Sequence, residues 1–169
     1  LFFFQYHIVL IIVAFVVIWL VLFILFMLIH KRRKEKAQSF IENNKDMALV
    51  HLYCRNTKIN GRDISEFNPT TGENLQKIVA LPSGEYSFEG IFETTDIRLG
   101  KTINLKTDKI EFKLDVQSGH TYTVAMYLNS STETEETGAE SANDILTIPL
   151  TLYEGSDNIK AFVICYREG

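Results

Sequence analysis

Residues 8–29, IVLIIVAFVVIWLVLFILFMLI, contain no side chain more polar than Trp19, and residues 1–29 contain no Asp, Glu, Lys or Arg. As a helix the run spans about 33 Å at 1.5 Å per residue, matching a hydrocarbon core of about 30 Å. A buried helix of a soluble protein would need a surrounding core that the rest of this chain is too short to build and wrap around it. A cleaved secretory leader has an apolar region of only about 7–15 residues, with positive charge ahead of it and small residues after it. Here the charge follows, and Leu28, Ile29, His30 and Lys31 make a poor cleavage site. Residues 1–30 are therefore read as a retained, single-pass transmembrane helix, which leaves room for one further domain.

The switch at His30–Lys31 is abrupt. KRRKEK (31–36) carries five positive charges and one negative. Lys and Arg close to a membrane end favour the cytoplasmic side, and the flank LFFFQYH has none. The count predicts a cytoplasmic C-terminal domain, with a periplasmic or extracellular placement as the alternative. A basic run ahead of Leu1 would compete with this count. From Ala37 onward twelve Lys and Arg face twenty Asp and Glu, a net charge of about −8, which argues against nucleic acid as a partner. Residues 31–46 are rich in helix formers, and they read as a basic juxtamembrane stalk, helical to about Phe40, that holds the domain off the membrane.

Residues 47–169 change period. IEFKLDV places Ile110, Phe112, Leu114 and Val116 on one face, and Glu111, Lys113 and Asp115 on the other, as a half-buried strand requires. Ala48, Val50, Leu52 and Cys54 alternate with Leu49, His51 and Tyr53, and Tyr122, Val124, Met126 and Leu128 alternate with Thr121, Thr123, Ala125 and Tyr127. Ile103 and Leu105 point inward from a neighbouring strand. Asn60-Gly61 is a strong two-residue hairpin signal. Leu75, Ile78, Val79 and Leu81 mark a strand that Pro82 ends, Gly90 marks a bulge or close backbone approach, and Pro149 puts ILTIPLTLY at an edge or bulge. Residues 130–144 form an acidic, solvated loop that would bind only a cationic partner. Seven to nine such strands, with no helix candidate after residue 46, predict an all-β fold: a small antiparallel β-sandwich on one N-terminal transmembrane helix.

Chemistry is sparse. Cys54 and Cys165 either form one disulfide in an oxidising compartment or remain two small buried groups. His51 and Cys54 fall on opposite faces of a strand, and His120 and Cys165 are far apart in sequence, so neither a metal set nor a Cys-His nucleophilic pair is suggested. The glycines are isolated turn residues and build no phosphate loop. His7 and His30 bracket the anchor at its interfaces. Glu85 with Glu89, and Glu111 with Asp115, alternate outward as solvated surface. No catalytic, cofactor-binding or metal-binding residue is assigned, no cofactor is implied, and a membrane-tethered hydrolase is the least favoured reading. Asn129-Ser130-Ser131 has the form of a glycosylation sequon.

LPSGEYSFEG (81–90) and LDVQSGHTYTVAMY (114–127) resemble the short motifs of PEGA-like and carboxypeptidase-regulatory-like β-sandwich domains of envelope proteins. Gly84 with Tyr86, and Gly119 with Tyr122, match that pattern, while Pro82-Ser83-Gly84-Glu85 stands in place of the PEGA tetrad itself. The resemblance implies a structural or adhesive module and carries over no active-site residue. Phe15, Trp19, Phe23 and Phe26 give the anchor a surface for lipid, or for docking on a larger membrane subunit, without a small-xxx-small dimer motif. The expected partners are thus membrane lipids and larger subunits of a membrane complex, with a homo-oligomer also open. The expected role is that of a non-catalytic accessory or structural interaction subunit; an envelope or extracellular adhesion module on an uncleaved anchor is the alternative.

Overall fold

Helix α1 (Phe2–Asn43) runs unbroken from the apolar stretch through the basic segment, three residues past the predicted end. The computed structural model describes residues 2–98, 101–128, 143–154 and 157–168, so the acidic segment is outside the described residues up to its last two positions. Asn44 ends the helix by donating from its side-chain amide to the Phe40 carbonyl at 2.8 Å. The Met47 N–H then donates to the Asn44 carbonyl and the chain enters its strands.

In chain order these are β1 (Ala48–Leu52), β2 (Arg55–Ile59), β3 (Arg62–Asp63), β4 (Thr70–Thr71), β5 (Lys77–Leu81) and β6 (Gly84–Ile91). They continue as β7 (Glu93–Arg98), β8 (Lys101–Lys106), β9 (Ile110–Val116), β10 (Thr121–Leu128), β11 (Asp144–Glu154) and β12 (Asp157–Glu168). One sheet has the order β11-β12-β10-β1-β5-β4, a second β3-β2-β6-β9, and a third is the β7-β8 ribbon. A short 3-10 helix, Ile64–Phe67, capped by the Asp63 side chain, is a helical turn that the strand pattern did not anticipate.

The expected purely antiparallel arrangement is corrected at the centre of the first sheet. β1 and β10 pair in parallel, Leu49 with Thr121 through Leu52 with Val124. The two strands are separated by the whole of the second sheet and the ribbon, so no tight turn forces them antiparallel; a long crossover permits the parallel pair. The result is a mixed-topology β-domain behind one long apolar helix.

One hydrophobic cluster draws on both large sheets: Val50, Val79, Tyr122, Val124 and Val163 from the first, and Ile59, Phe88, Phe112 and Leu114 from the second. The Phe88 and Phe112 rings stack with centroids 5.5 Å apart, and Phe88 pairs directly with Phe112 in the β6–β9 register. A smaller cluster of Leu105, Leu152, Ile159 and Ala161 ties the ribbon to β11 and β12.

Several local expectations have direct counterparts. Asn60 (φ 51°) and Gly61 (φ 77°) turn β2 into β3 with both residues left-handed, as a type I′ hairpin needs. Among the described residues β11, with Pro149, is an edge strand that pairs with β12 alone. Gly90 makes the close approach, while the bulge is on its partner: Asn56 and Thr57 of β2 stand opposite Gly90, between the Arg55–Ile91 and Lys58–Glu89 pairs. Leu75 is corrected. It is not part of a strand but lies in the β4–β5 loop at φ 66°, with β5 starting at Lys77.

Candidate functional site

The second half of α1 lies along the β-domain, with contacts to β4. Ala37, on the far side of the basic run, is only 7% exposed, whereas the large apolar side chains of residues 10–29 are all exposed. A loop from the domain reaches back to the boundary between these two parts. Glu73 Oε1 is 3.4 Å from His30 Nε2, and Glu73 Oε2 is 3.7 Å from Lys34 Nζ. His30 and Lys34 are four apart, on one helix face, so one carboxylate spans the turn that follows the apolar run. His30 also stacks on Phe26.

The loop has its own fastening. The Gly72 N–H donates to the Gln76 carbonyl at 2.9 Å, and the Leu75 N–H to the Gly72 carbonyl at 3.2 Å. The Gln76 side-chain oxygen accepts from the Asn74 N–H at 3.0 Å. The Gln76 amide lies where a side chain on residue 72 would stand, so a larger residue there would push that amide aside. Leu75, at the loop tip, is 67% exposed.

Beside this loop is a cleft of about 330 Å³ lined by Leu52, Cys54, Arg55, Leu75, Ile91 and Glu93 among others. A second cleft of about 470 Å³, under the ribbon, shares Arg55 and Glu93 with it. Glu93 joins the walls: its carboxylate is 3.0 Å from Arg55 Nε and 3.7 Å from Lys106 Nζ. With both oxygens facing cations it is placed to hold the clefts in shape. Burial raises the Cys54 thiol above its ordinary pKa, against a weaker opposing hydrogen bond with Thr57, so it stays protonated and weakly nucleophilic.

The outward face of the first sheet carries the other polar group of note. Strand register lines up Thr70, Ile78, His51, Thr123 and Tyr166 in one transverse row across five strands. His51 is 14% exposed, its Nδ1 4.0 Å from Glu168 Oε1, which also accepts from the Thr123 hydroxyl. Its Nε2 and the Thr70 hydroxyl are buried without a hydrogen-bond partner among the described residues. Burial lowers the imidazole pKa, and the Glu168 charge offsets this only in part. Farther along the face, beyond β1, lie Tyr127, 44% exposed, and on the edge strand Ile145, 47% exposed. Burial, then the hydrogen bond with Tyr166, pushes the Tyr127 phenol up to about 12.

The structure does not bring the cysteine and histidine candidates together. Both cysteines are free thiols. Cys165 pairs with Val124 and belongs to the core cluster, on the face of the sheet opposite His51; burial, then the Asp144 charge, pushes its thiol up to about 12. His120 lies just ahead of β10, its carbonyl accepting from the Leu49 N–H. Among the described residues no group of three or more His, Cys, Asp or Glu is placed to hold a metal ion. The outward carboxylates meet lysines, Glu85 with Lys113 at 3.3 Å and Glu89 with Lys109 at 2.8 Å.

No family model matches the chain, and no curated protein or solved structure matches it. The sequence reading missed Glu73 and Glu93. Each is an ordinary acidic residue in a turn-rich or β-like segment, and no spacing rule announces which cation it will meet across the fold.

Proposed function

We propose that this is a single-pass, membrane-anchored, non-catalytic protein whose β-domain, a two-layer sandwich, serves as an accessory or structural interaction subunit of a membrane-associated assembly. The observation that carries this reading is the contrast along α1. Its apolar residues 10–29 are bare of protein cover and are long and apolar enough to cross a membrane, while the turns that follow are fastened to the domain through Ala37 and Glu73. Twenty exposed apolar positions in a row are stable in lipid and not in water. The five cations after residue 30 favour a cytoplasmic domain.

The interaction role is supported by the outward face of the first sheet, where Tyr127 of β10 and Ile145 of the edge strand β11, with β12 between them, stand exposed on an otherwise well-packed domain. Aromatic and aliphatic side chains on an open sheet face suit protein contact. Gentle detergent extraction of the full chain, followed by sizing and identification of co-purifying chains, tests the reading. Larger membrane subunits are expected, and a strictly monomeric, partnerless chain counts against it. Protease protection in sealed vesicles decides the side on which the domain lies.

A further inference from the structure

We infer that the β4–β5 loop, residues 72–76, is a second membrane contact, a foot that sets Leu75 into the lipid headgroup layer beside the anchor. This rests on the membrane-anchor reading above and adds that the β-domain itself touches the bilayer. The placement follows from Glu73. Its carboxylate meets His30, the first residue after the apolar run, and Lys34 one turn on. The polar interfacial layer on each side of a bilayer is about 5–7 Å thick, and one helical turn rises about 5.4 Å. A group bridging His30 and Lys34 therefore lies in that layer, and Leu75, two residues from Glu73, is within about 7 Å of it.

The rest of the fold agrees with this level. α1 touches β4 and the β4–β5 loop, while its Asn43 end leads into the start of β1, which pairs with the end of β5 away from that loop; at this far edge the Gly119 N–H bonds the Met47 carbonyl and Ser83 bonds Ser118. Along the helix, thirteen residues or about 20 Å separate that edge from His30. A stalk would hold the whole domain away from the membrane. Here the helix folds the domain back toward it, loop first.

Leu75 is the side chain this would explain. It is the most exposed large apolar residue outside α1 among the described residues. It also holds φ at 66°, where glycine or asparagine would sit without strain. The protein's own packing gains little from an exposed leucine in a left-handed conformation. A lipid surface would gain an apolar side chain at the interface. The setting matches an interfacial anchor: Arg32 stands on the adjoining helix turn, and Lys31, Lys34 and Lys77, exposed or half-exposed beside their partners Glu35, Glu73 and Thr71, keep the surroundings of the loop cationic toward anionic headgroups.

The experiment uses the full chain reconstituted into vesicles of phosphatidylcholine and phosphatidylglycerol, with and without bromine on the acyl chains as a fluorescence quencher. Trp19 is the only tryptophan, so the unaltered chain reports on the anchor. A Trp19→Phe, Leu75→Trp chain reports on the foot, and a Trp19→Phe, Gln117→Trp chain on the far edge. Brominated lipid is expected to quench the unaltered chain strongly, to quench the indole introduced at position 75 at least twofold, and to leave that at 117 unchanged. If Trp19 is quenched while the probes at 75 and 117 behave alike, the foot is overturned and the anchor stands. If Trp19 itself is not quenched, the anchor reading falls and this inference with it. A blue-shifted but unquenched probe at 75 would mean protein cover in place of lipid, and also overturns the foot. Leu75→Gly, which relieves the backbone strain, is expected to keep the unfolding midpoint at or above that of the unaltered chain, so that a merely structural role for the leucine is distinguished.

Discussion

The backbone of Gly90 runs against Cys54 so closely that a methyl group at position 90 would stand 2.7 Å from the Cys54 sulfur and 3.1 Å from its Cβ. The contact sits where the bulge in β2 faces β6, at the wall of the cleft beside the β4–β5 loop. Gly90→Ala therefore forces overpacking, with an expected cost of about 1–3 kcal/mol. Cys54→Ala removes the nearer atom, so the double variant should recover most of that loss. Urea unfolding of the four chains measures the coupling, expected at about 0.5–3 kcal/mol as for residues in contact. Simple additivity would mean that the backbone moves aside.

The Glu73 pairs predict a different balance. With side chains about half exposed, each contributes at most about 1 kcal/mol. Glu73→Lys, which removes both pairs and sets a cation against His30 and Lys34, should lower the unfolding free energy by no more than about 2 kcal/mol. It should nevertheless free the loop from α1, and hydrogen exchange across residues 72–76 should quicken while exchange in β1 and β10 is unchanged. Equal acceleration throughout the domain would show that the pair supports the fold as a whole.

What the sequence made legible was local. The period-2 pattern of residues 110–116 is sufficient for β9 because each side chain's face follows from its neighbours, and the observed alternation of buried and exposed positions follows it. Pro149 announced an edge because a missing N–H is a property of one residue. The parallel β1–β10 pair was not legible: both strands are buried on both faces near their centres, and nothing in either names a partner seventy residues away. Leu75 was misplaced for a related reason. An apolar residue two positions ahead of a strand continues the count by composition, and only the turn closed by Gly72 and Gln76 takes it out of the sheet. The return of Glu73 to His30 is a relation between two distant parts of the chain, invisible to any window that holds only one.

The thiols yield a prediction that bears on mapping topology. Cys165 is about 1% exposed and its thiol is pushed up to about 12, so at neutral pH it has neither access nor thiolate character. It should react with Ellman's reagent only as fast as the domain unfolds, and Cys54, half-buried and also raised, more slowly than a free thiol. Rapid modification of both thiols in the folded chain would contradict the packing described. An impermeant thiol reagent applied to cells consequently cannot assign the compartment through the native cysteines, whereas Gln117→Cys offers an exposed site.

His51 gives the fold a pH dependence of definite sign. Burial holds its pKa below 6.5 in the folded chain even with the Glu168 carboxylate nearby, so as pH falls the unfolded chain takes up this proton first. Stability rises with pH wherever the unfolded state binds more protons. The contribution is fully present above about pH 6.5 and is lost as pH drops below it toward the folded-state value. His51→Phe removes the titration and leaves no unpartnered Nε2, and an apolar replacement at an unsatisfied polar site is expected to be near neutral at pH 8. Urea midpoints measured at pH 8, 6.5 and 5 should therefore fall more steeply for the unaltered chain than for His51→Phe. Parallel profiles would assign the acid sensitivity to carboxylates elsewhere, and a steeper fall for the variant would reverse the sign argued for His51.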